Sequence, residues 1–374
     1  MIALIYAALA FAGFTFFMHL LSAWIAAHRL VRPASSNQIR RYNVSIIRPL
    51  AGIEQFTHDC LQSTFDLEYD GRYEIIFCVD SEDDPVVPLI KKLQEKNARP
   101  SRLLFTTRGI DNFGPNPKLN NLYKGYEAAH SDYIIIPDAN VLLPKDYIQR
   151  MFVAWTERPN TGLVCAPPIG SHPKNWGAEL ETAILNSYQA RWQYMADTFE
   201  RGFAQGKNMM FCKSDLDLAG GLKVLSREVA EDAAATKMIR GMGLKVRLAD
   251  GAFLQPLGVR FFGDVWSRQL RWAKLRRSTF PSFYMLEIFS GLLSPLFALL
   301  MASYALGQDV IGIGLAYAIM WFLVEWWLTI TVDWHMSWRM PFMWVFRELI
   351  IPAIWITAWL GNNFEWRGHK MKVE

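Results

Sequence analysis

Four acids fall within five positions of the stretch CVDSEDDP: Asp80, Glu82, Asp83 and Asp84. A carboxylate just past a strand can accept hydrogen bonds from a base N–H or a ribose hydroxyl, which would make a nucleotide site. The same acids, ahead of Pro85, would equally serve a solvated loop and a helix cap. Asp138, in IIIPDANVLLP, stands at the end of an apolar run. An acid there costs stability unless it is paired or contacts a metal or nucleotide. GPNPKLNNL carries Lys118 among Gly, Pro and Asn. It reads as a turn into a helix cap, or as a shaped loop facing a nucleotide. Glu231 and Asp232 follow a glycine turn and precede AAATKMI. An acid in a first helical turn can cap the helix or act as a general base at a site mouth, and the pattern does not choose.

The decapeptide RQLRWAKLRR, residues 268–277, holds five basic residues, no acid and one tryptophan. Arg268 and Arg271, three apart, are neighbours on a helix face, with Trp272 beside them. Two readings compete: an anchor on anionic lipid headgroups, and part of a site that holds an anion.

The elements that must position these groups are legible as an α/β pattern. Runs Asn43–Leu50, Tyr73–Asp80, Ser101–Thr107 and Tyr133–Asn140 read as buried strands, with helical stretches at 83–97 and 120–130 between them. The alternation predicts a mostly parallel sheet covered on both faces, with ligands beyond the strands' carboxyl ends. Asp80 and Asp138 stand at two such ends.

With 374 residues, 52% of them apolar, and 15 Trp, the chain is too apolar for an ordinary soluble enzyme. A net charge of +4 does not indicate a nucleic-acid partner. The four cysteines show no CxxC spacing, so neither a disulfide framework nor a zinc site is expected. Residues 1–28 read as an uncleaved transmembrane helix. Arg29, Arg32, Arg40 and Arg41 follow it, with no acid before Glu54, which places the next domain in the cytoplasm. That domain is read as 40–267, an interfacial segment as 268–282, and a membrane block as 283–361. Spans are expected at Tyr284–Leu306 and Val310–Val332, the second containing Glu325, which calls for a partner in the bundle or a shallow depth. Pro341–Leu360 has a short apolar core around Arg347, Glu348 and Pro352, and reads as a fourth helix or a re-entrant piece. The tail, 362–374, is basic through Arg367, Lys370 and Lys372, which favours the cytoplasmic side, whereas four spans would put it outside. Trp176, Leu180, Ile184, Tyr188, Trp192 and Met195 recur at helical spacing, as core or as a helix lying on the membrane beside an acceptor.

In order, CVDSEDDP, NPKLNNL, Asp138, AGGL with AEDAAATK, and RQLRW before membrane helices resemble the ceramide glucosyltransferases. These are a branch of the membrane-bound inverting glycosyltransferases of GT-A fold. VSIIRPLAGIE reads like the same family, and the resemblance runs from about Arg40 to the tail. It implies a GT-A domain with a mostly parallel sheet plus α-helical transmembrane segments. It implies transfer of glucose from a UDP-sugar donor to the primary hydroxyl of a membrane lipid acceptor, ceramide above others, giving a β-glycoside. The family's three aspartates fall on Asp84, Asp138 and Asp232, and its signature on Arg268, Arg271 and Trp272. Asp232 is then the base, and Asp80, Asp84, Lys118 and Asp138 bind the donor. A divalent cation, Mg²⁺ or Mn²⁺, is implied on Asp138 and Asn140. Here the chain departs from the Asp-x-Asp common in GT-A enzymes, because an amide stands in the second acid's place. Arg268 likewise replaces the Gln of related polysaccharide synthases. Rival readings are a diacylglycerol or hopanoid acceptor with another UDP-sugar, a processive polysaccharide synthase, and a non-catalytic scaffold. The expected setting is a bacterial inner membrane, with the Golgi as the alternative.

Overall fold

The computed structural model describes residues 1–32, 41–107, 113–366 and 369–372. Arg40 and Arg367 lie outside the described residues. In chain order the elements begin with α1 (Ile2–Leu30), β1 (Val44–Leu50), α2 (Thr57–Phe65), β2 (Tyr73–Val79), α3 (Val86–Lys96) and β3 (Ser101–Phe105). Then come α4 (Pro117–Ala128), β4 (Tyr133–Pro137), α5 (Tyr147–Glu157), β5 (Thr161–Cys165), β6 (Pro168–Pro173) and α6 (Trp176–Ala183). A π-helical segment (Ile184–Ala190), α7 (Arg191–Thr198), β7 (Asn208–Cys212), α8 (Lys213–Leu218), α9 (Glu231–Gly241), β8 (Lys245–Leu248) and β9 (Phe253–Gly258) follow. The last are α10 (Phe262–Thr279), α11 (Pro281–Glu287), α12 (Leu293–Ala305), α13 (Val310–Thr331), α14 (Met340–Trp359), β10 (Asn363–Trp366) and β11 (His369–Lys372).

Two compact units result. One comprises Arg29–Ile169 and Gln193–Pro256 and carries the main sheet, in the order β3-β2-β1-β4-β7-β5-β8. β1, β2, β3 and β4 are parallel, as the alternating pattern predicts. β7 is inserted antiparallel between β4 and β5. β1 is buried at every position, as befits a strand covered on both faces. Its inner residues pack with Phe77, Ile90, Ile135 and Phe152 in one core. The α4 start is set by Asn116, whose side chain accepts from the Lys118 and Leu119 N–H groups, with Pro117 in the first turn.

The second unit comprises Met1–His28, Gly170–Trp192 and Leu257–Glu374. Among the described residues, α1, α13 and α14 are long and apolar enough to cross a membrane. The run expected as one span, Tyr284–Leu306, is instead broken into α11 and the 13-residue α12. At about 1.5 Å per residue, α12 falls short of a hydrocarbon core about 30 Å thick. The polar break is built in: Ser290 Oγ donates to Glu287 O at 2.6 Å, and Leu292 N–H donates to Glu348 Oε2 at 2.6 Å. The segment read as having a short apolar core is a continuous 20-residue helix, α14, that passes through Pro352. Its charges are accommodated by pairing. Arg347 donates to both oxygens of Glu325, at 2.8 and 2.7 Å, and to Ser187 Oγ at 2.9 Å, with both charged side chains fully buried. Of the two expectations for Glu325, the bundle partner is the one met. α10 and α14 run side by side: the rings of Phe262 and Phe346 lie 5.8 Å apart, and the Arg277 guanidinium stands over Trp359. Leu180 and Ile184 of the aromatic stripe pack with Val265, Ala273, Ile350 and Ile354, so that part of the stripe is core.

Replacing one member of a buried ion pair strands the other. Glu325→Leu should cost about 3–5 kcal/mol, read as a fall in melting temperature in detergent. The double variant Glu325→Leu/Arg347→Met should melt above either single variant.

Candidate active site

The chemistry-bearing residues of the sheet unit gather where β4 ends and β7 begins. The antiparallel pairing of these strands sets Asp138 beside Lys207, with the Asp138 N–H donating to Lys207 O at 2.8 Å. From β1, the fully buried Arg48 donates to Asp138 O at 2.7 Å, Val141 O at 2.9 Å and Cys60 O at 2.6 Å. This guanidinium fixes the turn that carries Asp138 and Asn140.

The Asp138 carboxylate meets two ammonium groups, Lys118 Nζ at 2.7 Å and Lys207 Nζ at 3.0 Å. Lys118 Nζ also donates to Glu231 Oε1 at 2.8 Å and to Gly206 O at 2.6 Å, which uses all three of its N–H bonds. Asn116 Nδ2 donates to Glu231 Oε2 at 3.0 Å. Asp232, beside Glu231 at the start of α9, accepts among the described residues only backbone N–H bonds, from Gly206 at 3.1 Å and Ala233 at 2.8 Å. Gly206 makes this close approach possible: a Cβ there would stand 3.0 Å from Glu231 Oε1.

Protonation follows from this arrangement. Burial would raise the Asp138 carboxyl, but Lys118 and Lys207 outweigh it and hold it well below the usual carboxylate range. Burial would lower the Lys118 ammonium, yet Asp138 and Glu231 raise it above its ordinary value. Asp232 goes the other way. Burial and the Glu231 carboxylate push it up to about 6, against the Gly206 N–H and Lys118. It is therefore the carboxylate suited to take a proton near neutral pH.

Asp80 and Asp84 follow β2, which is separated from β4 by β1. Asp80 is exposed and accepts from Thr106 Oγ1 at 2.8 Å. Asp84 accepts from Gly52 N–H at 3.0 Å and Val86 N–H at 2.9 Å, pinning the loop after β1 to the start of α3. Arg268, Arg271 and Trp272 lie on α10, in the membrane unit. Arg268 is paired with the fully buried Glu181, and Trp272 packs against Ala178, Leu185 and Leu257. Arg48, Asn116, Gly206 and Lys207 are the site residues that the sequence reading passed over. Asn116 was open to discovery as an Asn-Pro helix start; Lys207 carries no local signal, since its place depends on β7 pairing with β4.

Asp138 and Asn140, expected as the donors to a divalent cation, both offer hard oxygen atoms. Lys207 Nζ stands 3.0 Å from Asp138 Oδ2 and 3.0 Å from Asn140 Oδ1, so these oxygens already frame a cationic position. Among the described residues no three His, Cys, Asp or Glu side chains cluster as metal ligands. One carboxylate and one amide fit Mg²⁺ or Mn²⁺ when substrate phosphates and waters supply the remaining oxygens.

The family model described as glycosyl transferase family 21 matches residues 5–374. Ceramide glucosyltransferase 3 of Caenorhabditis elegans is 25% identical over 331 residues, covering 87% of this chain and 72% of that protein. Ceramide glucosyltransferase 1 of the same organism is 24% identical over 373 residues, covering 97% and 78%. Ceramide glucosyltransferase of Komagataella phaffii is 25% identical, covering 88% and 82%. Among solved structures, a mannosyltransferase from Pyrobaculum calidifontis in complex with GDP-Man and Mn²⁺ is 17% identical, with a TM-score of 0.54. It covers 96% of this chain and 98% of its own, and shows the GT-A fold.

The two aspartates should respond oppositely to pH. Asp232 binds its proton more tightly folded than unfolded, so its contribution is whole below the ordinary carboxylate range and lost as pH rises through about 6. Asp232→Asn should melt like the parent at pH 4 and above it at pH 7.5. Asp138 is held low, so its contribution is present above the ordinary range and lost on acidification. Asp138→Asn should melt below the parent at pH 7.5. Thermal unfolding at the two pH values checks both.

Proposed function

The chain belongs to glycosyl transferase family 21, and from that premise we propose that it transfers glucose from UDP-glucose to the primary hydroxyl of ceramide, inverting the anomeric carbon. The observation that carries the reading is Asp232: a half-buried carboxylate with no ion-pair partner among the described residues, raised to about 6, beside the Lys118–Asp138 pair. The ceramide glucosyltransferases that match most of the chain support the acceptor and the sugar.

The lipid's hydroxyl oxygen attacks the anomeric carbon from the face opposite the departing diphosphate. Asp232 takes the hydroxyl proton as the new bond forms. An α-linked donor then yields a β-glycoside. Asp80, exposed at the end of β2, accepts from the nucleoside, while Asp84 holds the loop after β1 in shape for it. Lys118 acts by position, keeping Asp138 ionised and holding both Asp138 and Glu231 in place. Asp138 and Asn140 would hold a divalent cation, which when bound supplies positive charge to the diphosphate. The family resemblance assigns Arg268 and Arg271, whose planar forks match phosphate oxygens, to the charge that grows on the leaving group, with Trp272 in the same signature. Arg29, in the last turn of α1, and Arg32 and Arg41 beyond it favour a catalytic unit on the cytoplasmic side.

The test uses the full chain in nanodiscs, offered ceramide, diacylglycerol and hopanoid with a panel of UDP-sugars, products being read by mass spectrometry. Glucosylceramide should dominate. Sugar on diacylglycerol or hopanoid alone would remove ceramide from the reading. Asp232→Asn should lose about 10²–10⁴-fold in turnover while still binding UDP; full turnover in this variant would remove Asp232 as the base. Chelation with EDTA should suppress transfer, and added Mn²⁺ or Mg²⁺ should restore it.

A further inference from the structure

Gln269 is a buried group that this mechanism leaves unused. It sits on α10 inside the arginine signature, 3% exposed. Its Oε1 accepts from Gln189 Nε2 at 2.9 Å. Its own Nε2 has no hydrogen-bond partner among the described residues. A buried amide donor without a partner works against folding, and its retention calls for something that it binds.

Gln269 lines a narrow cleft wholly within the membrane unit, open at its mouth and with room at its depth for about one water or a single polar group. Ile184, Ile354 and Trp355 give it an apolar wall, and Gln189 and Glu287 a polar one. Glu287 is oriented by Arg276, which donates to its two oxygens at 2.9 and 2.7 Å and leaves lone pairs over. The cleft therefore offers an unused N–H donor and a fixed carboxylate acceptor beside aliphatic and aromatic surface. That set matches a lipid whose polar part bears both a carbonyl and an N–H or hydroxyl. Gln269, Ala273 and Arg276 follow helical spacing on the face of α10 that lines the cleft. Trp272 packs elsewhere, against Ala178, Leu185 and Leu257.

We propose that this cleft seats the amide-bearing backbone of the acceptor lipid, with Gln269 Nε2 donating to the amide carbonyl and Glu287 accepting from the lipid's N–H or hydroxyl. The proposal rests on the reading that the acceptor is a membrane lipid, and it makes the cleft the device that separates amide lipids from ester lipids. A diacylglycerol brings carbonyls and a single hydroxyl, the one that reacts, and so has no further donor for Glu287 and leaves the acceptor side of the cleft unpaired.

The experiment compares the full-length protein with Gln269→Leu, which removes the donor, and Ile351→Trp, which narrows the cleft from α14 and keeps Gln269. Steady-state kinetics are taken with ceramide and with diacylglycerol in nanodiscs, and a ceramide carrying a diazirine beside the amide is photo-cross-linked and mapped. Gln269→Leu should raise the ceramide KM about tenfold, the loss of roughly one hydrogen bond, without moving the UDP-glucose KM, and the preference over diacylglycerol should fall with it. Ile351→Trp should weaken ceramide use in the same direction. Parental cross-links should fall on Tyr188, Gln189 or Ala273 and be competed by unlabelled ceramide. An unchanged ceramide-to-diacylglycerol ratio in both variants would overturn the proposal, as would cross-links confined to other segments; a water then satisfies Gln269. If the parent protein glycosylates no lipid, the functional reading fails, while competed cross-links in the cleft would still uphold the site and their absence would overturn it.

Discussion

The arrangement of the candidate site turns on one ammonium group held between two carboxylates. Lys118 Nζ lies 2.7 Å from Asp138 and 2.8 Å from Glu231, and its third hydrogen goes to Gly206 O. It joins the end of β4, the stretch before β7 and the start of α9. Three carboxylates could not be gathered in partial burial without such a counter-charge. The distribution of that charge is uneven, and the unevenness sets the chemistry. Asp138 has two ammonium neighbours and Glu231 has one, whereas Asp232 is left with peptide N–H groups. Neighbouring acids in one site therefore differ in proton affinity because of what they face.

The membrane unit solves a related problem with different means. Arg347, Glu325 and Glu348 sit where hydrocarbon would make any lone charge costly. They are placed so that each is met by an opposite charge or a hydroxyl, Ser187 among them. The pairing joins α13 and α14 to the π-helical segment by specific geometry, where apolar side chains alone would allow sliding. Polar pairs of this kind fix register in an environment that gives little hydrophobic reason to choose one.

Much of this was legible in the sequence. The four parallel strands announced themselves as short apolar runs, and Asp138 was conspicuous as a lone acid at the end of one. Glu325 asked for a partner or a shallow depth by its surroundings alone. What escaped were relations set by long-range pairing. Lys207 matters because β7 runs antiparallel beside β4, which no local pattern encodes. Arg48 looked like one residue of a strand, yet its guanidinium reaches the turn at Asp138, 90 positions away. The expected span at Tyr284–Leu306 failed because apolar composition cannot reveal that Glu348 draws the Leu292 N–H out of a continuous helix. At α14 the sequence left a helix and a re-entrant piece open, and the structure shows the helix; what local composition could not supply was that Arg347 and Glu348 pair with each other and with groups on other elements.

Lys207 gives the site a tethered counter-ion. Its ammonium spans the Asp138 and Asn140 oxygens, which are also the ones suited to a divalent cation. A carboxylate alone in such a place would pick up a proton whenever no cation was there, and a returning ion would have to displace it. With the lysine at hand, Asp138 stays ionised between turnovers. If a divalent cation is held there, its arrival and departure would exchange one positive charge for another, with no proton to be gained or shed. The site would thereby be kept in a charge state ready for the cation.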